Sequence, residues 1–154
     1  MKYFSYGSNM SVKRLNDRGV QTSTIEKGVL KGYRFSINKK SYKNPNIGFA
    51  NIVKDENSIV EGVIYDIKIG DLTILDKFEG YPKHYKREIH KINDDNVIVY
   101  IANDKWVSEK ELETTKEYKD YILEGKLFLS ENYFQNLNEL IKVVDSDVNC
   151  EKDD

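Results

Sequence analysis

An α+β domain built around an antiparallel sheet is the fold class predicted by this 154-residue sequence, and three observations predict it. β-rich segments dominate most of the chain, a single helical stripe interrupts them near the middle, and two helical segments close the order. Hydrophobic residues make up 39% and aromatic residues 12% of the chain, which supplies a core for one domain and argues against disorder. The length suits one domain and is too short for two independent ones. Residues 1–144 read as that domain, and residues 145–154 as a polar, acidic tail.

Each element has a local reason. Residues 2–5 are strand-like and break into Tyr6-Gly7-Ser8-Asn9-Met10. Ser11 is placed to cap a short helix that Gly19 stops. Residues 24–30 and 33–37 read as two strands, the second alternating Tyr33, Phe35 and Ile37 on one face. Asn44-Pro45-Asn46 punctuates a loop. Residues 49–53 and 58–67 flank Asp55-Glu56-Asn57, a hairpin signal, and the embedded Gly48 and Gly62 indicate bulges or close backbone approach beside a pocket. Over residues 71–79, Leu72, Leu75 and Phe78 form an apolar helical stripe, with Gly80 as the stop. Residues 85–92 and 97–102 form another hairpin through Asn93-Asp94-Asp95-Asn96. Thr114-Thr115-Lys116-Glu117 has capping-box spacing ahead of a helix over 118–128, and Ser130 caps a final helix to about residue 144.

Composition narrows the function. The net charge is -2 with no long basic block, which argues against nucleic-acid binding as the main activity. Cys150 is the only cysteine, so neither a disulfide framework nor a zinc cluster is expected. No apolar run approaches the roughly 20 residues of a membrane span, and the start of the chain lacks signal-peptide character, so a cytoplasmic protein is expected. His84 and His90 lie in polar, strand-like sequence, and Ser8 has no Gly-x-Ser-x-Gly elbow around it. Rim or surface positions account for both histidines, and no metal or other cofactor is expected.

The chemistry concentrates in two places. A Gly at a strand-to-helix turn allows close backbone approach, and successive N–H groups there converge on a carboxylate or oxyanion. Taken alone, Tyr6-Gly7-Ser8-Asn9-Met10 is a weak signal, since an ordinary loop capped by Ser11 accounts for it too. The second place is Leu75-Asp76-Lys77-Phe78-Glu79-Gly80-Tyr81-Pro82, where a helix pattern stops. The pair, in this order and separation, resembles the γ-glutamylcyclotransferase family (AIG2-like). Phe49-Ala50-Asn51-Ile52, Glu61-Gly62-Val63-Ile64-Tyr65 and Tyr118-Lys119-Asp120-Tyr121-Ile122-Leu123-Glu124-Gly125 extend the resemblance to about residues 2–137. Gly125-Lys126 and Leu129-Ser130 depart from the family pattern and bear on the cavity rim.

The resemblance implies a small, partly closed β-barrel with flanking helices and a cavity at one mouth. It also implies an enzyme that converts a γ-glutamyl amino acid or amine to 5-oxoproline plus the free amine, without a cofactor. The α-amine attacks its own γ-carbonyl, so the site must hold a curled substrate, supply a base and an acid, and stabilise an oxyanion. Glu79 is the implied general acid/base; as a carboxylate at a helix C-terminus it otherwise sits badly against the dipole. Tyr6, Gly7, Ser8, Asn9 and Met10 are the implied substrate loop, with Tyr100 and Tyr118 as further contacts. Among eleven tyrosines, packing accounts for these two as well as binding does. Two other readings stand beside this one: a binding domain that holds a small carboxylate without turnover, and a hydrolase that releases free glutamate.

Overall fold

Long runs of β-branched and aromatic residues in the first half of the chain pair with each other and leave a four-residue strand at the centre. The computed structural model describes residues 1–145. It contains β1 (Lys2–Ser5), a 3-10 turn (Ser8–Met10), α1 (Val12–Asp17), β2 (Thr22–Lys40) and β3 (Gly48–Ile67). The order continues through α2 (Leu72–Glu79), β4 (Tyr85–Ile92), β5 (Asp95–Ala102), α3 (Lys116–Leu123) and α4 (Glu131–Leu140). Cys150 and all of the acidic tail except Asp145 lie outside the described residues.

The five strands form one mixed sheet in the order β2-β3-β1-β5-β4. β1 runs antiparallel to β3 and parallel to β5, while β2–β3 and β4–β5 are antiparallel. The α+β class and the partly closed sheet are as expected, but the ladder does not close into a barrel. The β2 edge meets the β4 side of the sheet at two points: Asn93 Nδ2, in the turn after β4, donates to the Lys27 backbone carbonyl at 3.0 Å, and the Tyr33 and His90 rings meet edge to face at 5.4 Å. Further along β2, the segment after β5 covers the exposed edge. Ser108 N donates to Asn38 O and Leu112 N to Ile37 O, both at 2.7 Å.

Two local expectations need correction. Residues 24–30 and 33–37 belong to the single strand β2, which carries a register shift between Lys31 and Tyr33. The hairpin at Asp55–Asn57 does not form; β3 runs straight through it, and the chain reverses at residues 41–47 instead. Lys54 pairs with Tyr33 and Ile59 with Lys31, so the intervening residues form a bulge opposite Gly32. Asp55 stabilises that bulge by accepting from Asn57 N at 3.1 Å and Ser58 Oγ at 2.8 Å, the same Asx chemistry that makes turns.

The helices are shorter than their apolar patterns. The helix expected over 118–128 is α3 followed by a 3-10 turn at Glu124–Phe128, and the final helix ends at Leu140. Thr115, one residue after the expected box start, caps α3 by accepting from Tyr118 N at 3.1 Å; Ser130 caps α4 from Tyr133 N at 3.3 Å. The β4–β5 turn is Asn93-Asp94 with φ of 53° and 66°, a pair of left-handed residues suited to a two-residue hairpin.

Two glycines make room beside the central strand β1. Gly28 and Gly62 face each other across β2 and β3, and the Phe4 ring lies on this pair: a Cβ on Gly62 would stand 2.9 Å from it and one on Gly28 3.2 Å. Phe4 is buried together with Tyr3 and Ser5. Alternation along β1 thus sends Phe4 to the glycine slot and Tyr3 and Ser5 to the opposite face.

Candidate active site

β1 delivers the chain into the Gly-Ser-Asn loop, and close packing holds the loop down. A Cβ on Gly7 would lie 2.9 Å from the Ala50 Cβ of β3, so only glycine lets the loop rest there. Met10 N donates to Gly7 O at 3.0 Å and Ser11 N to Ser8 O at 3.1 Å, closing the 3-10 turn. The N–H groups of Ser8 and Asn9 come before the first of these bonds, at the end of the turn that attracts anions. The Tyr65 hydroxyl pins the loop from beneath, reaching Asn9 O at 2.8 Å and Met10 O at 3.1 Å.

Across the cleft, α2 ends on Glu79. Gly80 takes the left-handed conformation at φ 63°, Tyr81 N donates to Asp76 O at 2.9 Å and Gly80 N to Lys77 O at 3.3 Å, a Schellman stop. The half-buried Glu79 is thereby fixed at the helix end and lines the same cleft as the loop, a space of about 350 Å³ including its open mouth.

Tyrosines build the walls, and most of their hydroxyls are tied to protein. Tyr6 Oη donates to Tyr100 O at 2.6 Å, and Tyr100 Oη donates to Asp76 Oδ1 at 2.7 Å. Tyr118 Oη accepts from Ala50 N at 3.0 Å, and Tyr85 Oη donates to Ala50 O at 2.7 Å. Both hydrogen-bonding groups of Ala50 are therefore consumed by cleft tyrosines, which locks β3, β4 and α3 around one point. Burial, with the Glu79 charge second, raises the Tyr3 and Tyr6 hydroxyls above the ordinary phenol range. Burial also raises Tyr100, followed by its bond to Asp76. These three are thus neutral phenols at physiological pH.

The structure brings together seven of the eight residues singled out in the sequence. Glu79, Tyr6, Gly7, Ser8, Asn9, Tyr100 and Tyr118 all line the cleft. Met10 stands apart: it is 1% exposed, and a Cβ on Gly125 would come 2.8 Å from its sulfur. The Asn9 amide faces inward as a brace. Its Oδ1 accepts from Arg18 Nη1 at 3.3 Å and its Nδ2 donates to Tyr3 Oη at 3.0 Å. Tyr3, Phe4, Ser5, Ala50 and Tyr85 also line the cleft and were not singled out. Strand alternation marks Tyr3 and Ser5 as partners on one face; Ala50 and Tyr85 arrive through long-range pairing that leaves no local signal. Neither histidine lines the cleft: His84 stacks on Trp106 at 4.3 Å, and His90 lies 2.9 Å from Glu88. Among the described residues, no group of three or more His, Cys, Asp or Glu could hold a metal ion, and no helix is long and apolar enough to cross a membrane.

Comparison with known proteins agrees with this architecture. Comparison of the sequence with curated proteins finds no match. A solved structure described as a gamma-glutamyl cyclotransferase superposes with a TM-score of 0.79 at 20% identity, over 97% of this chain and 92% of the other. An uncharacterized protein from Homo sapiens gives 0.77 at 21% identity, over 96% and 91%. A yeast gamma-glutamyl cyclotransferase described as specific to glutathione gives 0.64 at 11% identity, over 92% and 95%. At these identities the likeness speaks for the fold. The sequence itself matches the family described as "Gamma-glutamyl cyclotransferase, AIG2-like" over residues 3–123, most of the chain and every residue of the cleft; the protein belongs to that family.

Proposed function

We propose that the protein is a cofactor-independent γ-glutamylcyclotransferase that converts a γ-glutamyl amino acid or amine to 5-oxoproline and the free amine. The observation that carries this reading is that Glu79 and the Gly7–Asn9 turn line one small tyrosine-walled cleft. Family membership supports the reaction class.

The reaction needs only groups that the cleft can supply. The α-amine nitrogen forms a bond to the γ-carbonyl carbon, the γ-amide C–N bond breaks, and two protons leave the α-ammonium and end on the departing nitrogen, which leaves as an ammonium. No external nucleophile enters, and the atoms balance within one substrate. Glu79 takes one proton from the α-ammonium before the attack and the second from the ring nitrogen after it, and passes them to the leaving nitrogen. The turn N–H groups and Ser8 take the carboxylate and the oxyanion. The snug walls keep the chain of the glutamyl group curled, which is where an intramolecular attack gains its effective molarity. A cytoplasmic setting, with a small-molecule substrate as the partner, fits this activity.

Mass-spectrometric detection of 5-oxoproline tests the proposal, using a panel of γ-glutamyl amino acids, γ-glutamylamines and glutathione. Wild-type protein is expected to release the lactam from at least one member, and Glu79→Gln to lose about 100-fold or more in rate. Lactam release by Glu79→Gln at the wild-type rate would refute the proton role. Free glutamate as the product would refute cyclisation.

A further inference from the structure

We propose that Tyr3 and Ser5, neighbours on one face of β1, form a hydroxyl donor pair in the cleft that binds an anionic oxygen of the γ-glutamyl substrate. This rests on the cyclotransferase reading above.

Ser5 is 1% exposed and lines the cleft, and its Oγ has no hydrogen-bond partner among the described residues. The hydroxyl lies close enough to Tyr3 to favour ionisation of the phenol, yet outside hydrogen-bonding geometry. Buried hydroxyls are seldom left this way, because the desolvation cost is not recovered. Because Ser5 lines the cleft, a ligand that settles there can supply the missing partner.

Elementary chemistry fixes the direction of the hydrogens around Tyr3. A guanidinium only donates, so the Asn9 oxygen must face Arg18, at 3.3 Å. The Asn9 nitrogen must then donate to Tyr3 Oη, at 3.0 Å. The Tyr3 oxygen is an acceptor in this chain, which leaves its own hydrogen unused by it. The relay from Arg18 through Asn9 to Tyr3 therefore has its positive end outside and presents a donor inside, each bond polarising the next. Ring contacts hold the phenol in place: Tyr65 stacks at 6.2 Å between centroids, and Tyr100 meets it edge-on at 5.9 Å. Arg18 and Asn9 act as positioning residues, while Tyr3 and Ser5 touch the substrate. The oxygen they bind is either the α-carboxylate or the oxyanion that develops on the γ-carbon.

Ser5→Ala and Tyr3→Phe, assayed by lactam release and thermal unfolding, test the pair. Ser5→Ala is the cleaner variant, because it removes no bond within the protein, whereas Tyr3→Phe also strips Asn9 of its acceptor. Ser5→Ala is expected to unfold at or above the wild-type temperature while kcat/KM falls about tenfold, and Tyr3→Phe to lose about ten- to hundredfold. A rise in KM alone assigns the contact to the α-carboxylate and a fall in kcat to the oxyanion; both uphold the pair. Wild-type kinetics in both variants while Glu79→Gln is inactive would overturn the pair and leave the cyclotransferase reading standing. A lower unfolding temperature for Ser5→Ala with unchanged kcat/KM would make the hydroxyl structural and also overturn it. If the wild-type protein releases no lactam, the cyclotransferase reading fails, and calorimetric binding of 5-oxoproline decides. Weaker binding by both variants upholds the anion contact; equal binding, or none by the wild type, overturns it.

Discussion

Gly62→Ala adds one methyl group at the point where the sheet and the cleft share a wall. The new Cβ would stand 2.3 Å from the Ser5 carbonyl oxygen and 2.9 Å and 3.0 Å from the Phe4 ring. Ordinary contact begins near 3.4 Å, so the carbonyl must retreat by about 1.1 Å. It has little freedom to do so, since β1 is held by β3 on one side and β5 on the other. Forcing extra volume into such packing costs about 1–3 kcal/mol, and the upper end applies where the obstacle is backbone. For a chain of this size, a loss of about 3 kcal/mol lowers the unfolding temperature by about 6–12 °C. The function should suffer beyond the stability. Ser5 leads directly into the Gly7–Asn9 turn, and a displacement of about 1 Å in a positioning element costs about 100-fold in rate.

The assay pairs thermal unfolding by circular dichroism with lactam release measured well below the transition. Gly70→Ala is the internal control, because nothing lies within 4 Å of its added Cβ; it should unfold within about a degree of wild type or slightly higher. Gly62→Ala unfolding at the same temperature as Gly70→Ala, with wild-type turnover, would refute the close approach of β1 to β3 and the rigidity inferred from it.

Two further outcomes follow from the tyrosines. The Tyr3, Tyr6, Tyr33, Tyr65, Tyr100 and Tyr133 hydroxyls are all raised, with burial the largest cause in each. A folded state that keeps phenols protonated while the unfolded chain ionises near pH 10 loses stability as pH rises above about 10, and keeps this contribution in full below it. Absorbance titration at about 295 nm should therefore show fewer than the eleven tyrosines ionising before the fold is lost; reversible titration of all eleven near pH 10 with the fold intact would contradict this. Tyr100→Phe removes the 2.7 Å donor to Asp76, leaving that carboxylate with Arg87 Nε at 3.6 Å. A loss of about 1–1.5 kcal/mol and a fall of about 2–6 °C in unfolding temperature are expected, and an unchanged melting curve would show that Asp76 does not depend on the phenol.

What the sequence made legible, and what it did not, divides by the range of the interactions involved. The β4–β5 turn, expected over residues 93–96 and formed by Asn93-Asp94 alone, the Ser11 and Ser130 caps and the Gly80 stop were readable, because each is decided within a few residues of chain. Asp55-Glu56-Asn57 was misread for the same reason. An Asx residue bonding two positions onward looks identical whether the chain turns back or, as here, bulges within β3. Which of the two occurs is settled by β2, a partner that sequence alone does not place. The absence of a β2–β4 ladder is likewise a property of strand order and twist, to which residue patterns are blind.

The cleft obeys the same division. Gly7 and Glu79 stood out because their chemistry is unusual at a strand end and a helix end. Asn9 stood out for a different reason than the one its position serves: an amide can donate to substrate or to protein, and here its side-chain nitrogen meets Tyr3. Tyr3 and Ser5 were legible in principle, since alternation places them together on the face opposite Phe4. They were passed over because a tyrosine and a serine in a strand resemble packing until the strand is seen to be buried on both sides. That burial is the decisive step. On an exposed face the Ser5 hydroxyl would bond to water and carry no information, but at the centre of the sheet a missing partner points to a ligand. The site is therefore more than a catalytic loop laid on a finished scaffold, because the central strand that supports the loop also supplies part of its floor.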